Sequence, residues 1–132
     1  MRVLHDTNVL VGAVATRGLC ADVFRLVAAD HEMVVGQVIL DELRGVLERK
    51  LGLPVTVVAE ILELLLRFEL VPRPAVCAAA EVPEDDRWVL ASARDGRADI
   101  LVTGDRELPA LGECEGVRIV SPRGLWELLR RE

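Results

Sequence analysis

The sequence predicts an α/β fold whose sheet is parallel and covered by helices on both faces. Short apolar, β-branched runs (residues 2–4, Met33-Val34-Val35, Ile100-Leu101-Val102-Thr103 and Val117-Arg118-Ile119-Val120) alternate with longer segments of helical periodicity, the pattern that successive strand–helix units produce. Two of these strands deliver an acidic residue where the pattern changes, Asp6 and Asp105. Ligands of open α/β sheets sit outside the carboxyl ends of the strands, so both positions are site candidates.

The first strand runs into Asp6-Thr7-Asn8, and Asn8 to Ala15 opens a helix before the break at Arg17-Gly18. Residues 21–29 form an amphipathic helix with Val23, Leu26 and Val27 on one face, and Asp30-His31-Glu32 turns into the second strand. A helix is expected from Gln37 to Leu51, with Ile39, Leu40, Leu43, Val46 and Leu47 at helical spacing and Gly52 ending it. Pro54 suits the first position of the next helix, which runs to about Phe68 on a stripe of Val57, Val58, Ile61, Leu64 and Leu65. Leu62 and Leu66 widen that stripe, which fits a broad core face or a subunit interface equally well. Leu70-Val71 before Pro72 is a short third strand, and residues 73–81 read as loop. Pro83-Glu84-Asp85-Asp86 begins a helix with acids at the positive end of its dipole; it carries Val89, Leu90 and Ala93 and stops near Gly96. Ser121 caps a final helix, Arg123 to Arg130.

A chain of 132 residues with 52% hydrophobic composition suits a single domain, residues 1–132, around one core. There is no uncharged apolar run long enough to span a membrane and no secretory leader pattern, so a cytoplasmic protein is expected. Cys20, Cys77 and Cys114 are odd in number and lack metal-ligand spacing, which excludes a disulfide framework and a zinc site and leaves three buried thiols as the expectation. No Ser/His/Asp arrangement, P-loop or GxGxxG is present. The net charge of −6 argues against nucleic acid unless several of the 22 acids converge on cations that invert the local field. Fifteen of the sixteen basic residues are Arg, Lys50 being the exception, and with two Trp, two Phe and no Tyr base stacking cannot dominate recognition.

The acids separate by geometry. Asp6 ends a buried strand, where a carboxylate must be ligated or hydrogen-bonded; capping of the following helix is the plainer reading. Asp105 repeats the arrangement after Thr103-Gly104. Asp41 lines up with Arg44 and Glu48 on a solvated row, whereas Glu42 lines up with Ile39, Leu43 and Val46 beside the core. Asp86 shares a row with Val89, Leu90 and Ala93, and Asp85 with Trp88, Val89 and Ser92, so Asp86 is favoured and Asp85 is the alternative. Four inward carboxylates without a His/Cys set suit a hard cation, magnesium or manganese, whose natural chemistry is water activation beside a phosphoryl group. His5 points to the other face of the strand from Asp6 and is structural.

Asp6-Thr7-Asn8, Glu42 within Leu40-Asp41-Glu42-Leu43, Asp86 ahead of Val89-Leu90-Ala91-Ser92-Ala93, and Thr103-Gly104-Asp105 together resemble the PIN domain family, most closely the VapC-like toxins of toxin–antitoxin pairs. The resemblance extends from the first strand to Ser121-Pro122-Arg123. It implies a three-layer α/β/α sandwich with a mainly parallel sheet of about five strands, and a metal-dependent endoribonuclease. Asp6, Glu42, Asp86 and Asp105 would be the catalytic and metal-binding acids, with Asn8 and Thr103 hydrogen-bonding behind them. One or two Mg2+ or Mn2+ ions, an RNA substrate, a cognate antitoxin and a homodimer are implied in the same way. RNA contacts would fall to scattered residues such as Arg17, Arg44, Arg49 and Arg106. A haloacid dehalogenase-type phosphatase would want a second Asp where Asn8 stands, and a receiver domain a Lys after a late strand; a non-catalytic RNA-binding or antitoxin-binding scaffold is the alternative of a different class.

Overall fold

The computed structural model describes residues 1–78 and 81–131; Ala79 and Ala80, inside the segment read as loop, lie outside the described residues, as does Glu132. Strand β1 (Arg2–His5) leads to α1 (Thr7–Ala15) and α2 (Leu19–Asp30), and β2 (Glu32–Gly36) to α3 (Gln37–Gly45). A widened helical turn, Val46–Lys50, separates α3 from α4 (Val55–Leu65), and β3 (Glu69–Val71) follows. A single 3-10 turn, Glu84–Asp86, introduces α5 (Arg87–Asp95). The chain ends with β4 (Ile100–Val102), a 3-10 turn at Leu108–Leu111, the short strand β5 (Glu113–Cys114), β6 (Val117–Val120) and α6 (Pro122–Arg130).

The strands lie in the order β3-β2-β1-β4-β6-β5, and every pairing is parallel except β5 with β6. Val3, Leu4, Val34, Ile100, Leu101 and Val102 are all buried, as expected where helices cover both faces and strand sequences need not alternate. On one face Val3, Met33 and Ile100 pack against Val23 and Val27 of α2 and Leu125 and Leu129 of α6. On the other, Leu4, Val34 and Leu101 meet Ile39 and Leu43 of α3, Leu62 of α4 and Leu90 of α5. Helix α1 contributes Val9 to the first layer and Leu10 to the second, so it closes one end of the sandwich. This is the predicted three-layer α/β/α architecture.

The chain progresses from β1 outward through β2 and β3 on one side and appears again at β4 and β6 on the other, so the carboxyl ends of β1 and β4 form a switch point. The Asp6 N–H donates to the Val102 carbonyl at 2.9 Å and the Thr103 N–H to Val120 at 3.0 Å, carrying the pairing to the strand tips. At the amino end of the sheet Arg2 pairs with Glu32 and Glu69 and donates to the Gly96 carbonyl, tying three strands together away from the switch point.

Several local expectations need correction. There are six strands, because Glu115 and Gly116, both at positive φ (52° and 80°), close a two-residue hairpin that pairs Glu113-Cys114 with β6; positive φ at both loop positions is the requirement of a type I′ turn. The helix after β2 is not regular to Leu51: the Leu51 N–H reaches the Val46 carbonyl at 3.1 Å, an i to i+5 bond. Helix α4 stops at Leu65, where Arg67 and Phe68 bond to Leu64 and Leu65 in tight turns. The three cysteines are free and half-buried rather than buried. Ser121 caps α6 as expected, accepting the Gly124 N–H at 3.0 Å. Among the described residues no helix is long and apolar enough to cross a membrane.

Candidate functional site

Asp6 is 7% exposed at the tip of β1. One carboxylate oxygen caps α1, accepting the Thr7 N–H at 2.7 Å, and the other accepts the Thr103 hydroxyl at 2.8 Å. The capping and functional readings are therefore compatible, since a carboxylate offers about four acceptor positions and these bonds use two. Thr103 also receives the Asp105 N–H at 3.1 Å, and Asp105 accepts the Glu107 N–H at 2.8 Å, which fixes the turn after β4. Asn8 secures the same turn from α1 by accepting the Gly104 N–H at 3.0 Å. A Cβ at Gly104 would stand 3.2 Å from Asn8 Cγ, so a larger residue there would press on the side chain that holds this turn.

Asp6, Thr7 and Asn8 border a cleft of about 580 Å3 that is also lined by Glu42, Lys50, Asp85 and Asp86. Glu42 enters from α3 and accepts the Thr7 hydroxyl at 3.2 Å. Asp41, one position earlier, faces outward and pairs with Arg73 and Gln37, so the helical phase separates the two acids as the sequence implied. Asp86 is half-buried and faces the charges of Asp105 and Asp6, whereas Asp85 is exposed. The structure thus brings Asp6, Glu42 and Asp86 to one cleft at the switch point, with Asp85 also on its lining; Asp105 is not among the lining residues and reaches the group through its charge on Asp6 and Asp86.

Their electrostatics reflect like charges gathered around one buried carboxylate, Asp6, with Asp86 half-buried and Glu42 exposed. Burial and the charges of Asp105 and Asp6 push Asp86 up to about 6. Burial raises Asp6, partly offset by Thr103 and the Thr7 N–H. Partial withdrawal from water raises Glu42, with Thr7 working against it and the Asp6 and Asp85 charges reinforcing it. Such a set favours a bound cation, which would relieve each of these penalties. All its donors are hard oxygens, the ligand type of magnesium, manganese and calcium. Among the described residues no three carboxylates, histidines or cysteines stand close enough to enclose a cation unaided.

The sequence model of the PIN domain matches residues 2–107, from the first strand through the turn that carries Asp105. The chain belongs to the PIN domain family. No curated protein sequence matches it significantly. Among solved structures, VapBC2 from Rickettsia felis bound to a DNA fragment of its promoter superimposes with a TM-score of 0.66 at 18% identity, over 92% of this chain and 98% of the other. DNA-bound VapBC from Salmonella typhimurium gives 0.61 at 20% identity, over 92% and 98%. A PilT N-terminus domain protein from Sulfolobus solfataricus gives 0.54 at 10% identity, over 100% and 96%. At these identities the likeness is one of fold.

Two cleft residues of this PIN domain were not singled out from sequence. Thr7 joins the Asp6 turn to Glu42, and a hydroxyl beside a strand-end Asp is the only signal it carries. Lys50 reaches the cleft from the widened turn; as the single Lys of the chain it is conspicuous, but nothing in helical periodicity assigns it to this wall.

Proposed function

We propose that this PIN domain is a metal-dependent endoribonuclease that hydrolyses RNA phosphodiester bonds, and that it is the toxin of a toxin–antitoxin pair. The observation that carries the reading is the convergence of Asp6, Glu42 and Asp86 on one cleft at a sheet switch point, with Asp105 near enough for its charge to act on Asp86. Asp6, Glu42, Asp86 and Asp105 would hold one or two Mg2+ or Mn2+ ions. Magnesium keeps several waters and takes one or two carboxylates plus substrate phosphate, so its binding does not require a closed protein cage. When bound, such a cation supplies charge stabilisation at the phosphoryl group and a lowered pKa for water. Thr103 and the Thr7 N–H hold Asp6 in its orientation, Thr7 does the same for Glu42, and Asn8 keeps the Asp105 turn closed. Asp86, pushed up to about 6, is a proton acceptor at the cleft once it is ionised.

The Rickettsia and Salmonella structures are toxin–antitoxin complexes, which supports a cognate antitoxin here, and the exposed Val55, Leu64 and Leu66 of the α4 region offer apolar surface for an antitoxin or a homodimer partner. The test is cleavage of a mixed pool of structured RNAs with magnesium or manganese, with EDTA, and by an Asp105→Asn variant. Cutting that needs the metal and Asp105 supports the nuclease. Equal cutting by the variant overturns the site, and no cutting with any metal favours the non-catalytic scaffold.

A further inference from the structure

The acidic cleft continues into a second groove of about 280 Å3 lined by Glu42, Gly45, Val46, Arg49 and Lys50. Glu42, Val46 and Lys50 border both, so the two form one path across the widened turn. In a regular α-helix position 50 would stand roughly 80° around the axis from position 42. A turn closed by i to i+5 bonds advances less per residue, and this keeps Lys50 on the wall that Glu42 and Val46 occupy. The adjacent Gly45 has an ordinary helical conformation (φ −60°, ψ −43°), so no backbone requirement explains a residue that costs about 1 kcal/mol relative to alanine in a helix. Its effect is spatial: a Cβ at this position would overlap Arg49 Nη2, and the guanidinium lies against the helix where that Cβ would be.

Arg2, Arg25, Arg73 and Arg94 are each paired with a carboxylate. Arg49 and Lys50, like most of the other arginines, form no ion pair with any described residue; what sets them apart is their place, since both line the groove that opens from the acidic cleft. Two unpaired cations at the exit of an acidic cleft answer a physical need: cations in the cleft can neutralise the phosphate that is cut, but the neighbouring phosphates of a polyanion would meet an acidic protein unaided. We propose that Lys50, with Arg49 beside it, binds the backbone phosphate next to the scissile one, so that the RNA strand leaves the cleft across the turn of residues 46–50. The inference rests on the nuclease reading and names two substrate-binding residues for it. A lysine ammonium serves such a contact as a point charge that is indifferent to base identity.

The test is equilibrium binding of a fluorescein-labelled single-stranded RNA of mixed sequence to the full chain at several salt concentrations, with calcium in place of magnesium, and with cleavage kinetics measured separately in magnesium. Lys50→Met is expected to weaken binding roughly fivefold for every sequence in the pool and to reduce the slope of log affinity against log salt by about 0.7, the share of one phosphate contact on a single strand. The double variant with Arg49→Met doubles the loss of slope, Lys50→Arg restores it, and in cleavage Lys50→Met raises KM with little change in kcat. Thermal melting of each variant checks that folding is intact. Unchanged affinity and salt slope in Lys50→Met, or no RNA binding by the parent chain, overturns the proposal. The nuclease reading fails separately: RNA bound with the Lys50-dependent slope but never cut removes catalysis and leaves the binding path standing.

Discussion

Thr103 and Asp6 lie 97 positions apart in sequence, yet the Thr103 hydroxyl donates to Asp6 Oδ2 at 2.8 Å across the β1–β4 seam. The same hydroxyl accepts the Asp105 N–H at 3.1 Å, so one fully buried atom orients two acids of the site. Thr103→Val keeps the shape and removes both bonds. It should destabilise the protein by about 1–3 kcal/mol, the cost of leaving buried partners unmade, as read by denaturant unfolding. Because Thr103 lowers the Asp6 pKa, the acid limb of the pH–rate profile should also move to higher pH.

Asp86 should limit stability and enable activity. Its native pKa near 6 lies above the ordinary 3.8, so the native state holds more protons than the unfolded state between those values. Its contribution is therefore present below about pH 3.8 and is lost as pH rises through about 6. Asp86→Asn should stabilise the metal-free protein at neutral pH by about 1 kcal/mol, the shift being discounted for a carboxyl that remains largely solvated. The same variant should abolish cleavage. Magnesium at a hundredfold excess over its dissociation constant should stabilise the parent by about 2.7 kcal/mol and raise its Tm, with little effect on Asp86→Asn.

The parts of this site that were legible in the sequence are those fixed by local periodicity. Asp6 and Asp105 stand at the ends of apolar runs, and helical phase alone separates Glu42 from Asp41, because α3 is regular across those positions. The same reasoning failed beyond Gly45, since the i to i+5 turn depends on how α3 meets α4 and periodicity carries no record of it. It failed also at Glu113-Cys114, a strand too short for any pattern, formed because the Glu115-Gly116 turn folds it back on β6. The Thr7–Glu42 bond joins residues 35 positions apart and exists only once β1 and β2 are neighbours.

His5 is 2% exposed, packs edge-on to Phe24 with ring centroids 5.6 Å apart, and among the described residues neither ring nitrogen has a hydrogen-bond partner. Burial lowers its pKa to about 4 from the ordinary 6.5. The unfolded state thus takes up a proton that the native state refuses, and stability is lost as pH falls from 6.5 toward 4, by up to about 3 kcal/mol. This slope is opposite in sign to that of Asp86. His5→Leu should remove the acid-side loss and raise stability at neutral pH by about 1 kcal/mol, since unsatisfied polar atoms leave the core. Unfolding at a series of pH values in EDTA reads both effects; an acid-side slope that survives in His5→Leu would assign it to another group.

Gly45 offers a substitution in which stability and RNA binding should move in opposite directions. Alanine fits its helical backbone and should stabilise the protein by about 0.5–1 kcal/mol through helix propensity and a less free unfolded chain. The new Cβ would occupy the place of Arg49 Nη2, so the guanidinium must swing to a new position along the groove. Gly45→Ala should therefore melt at a higher temperature while binding single-stranded RNA less tightly, with a salt slope intermediate between the parent and the Arg49→Met, Lys50→Met double variant. Higher melting with unchanged binding would mean that the glycine serves only to widen the turn and that Arg49 reaches phosphate from elsewhere on the helix.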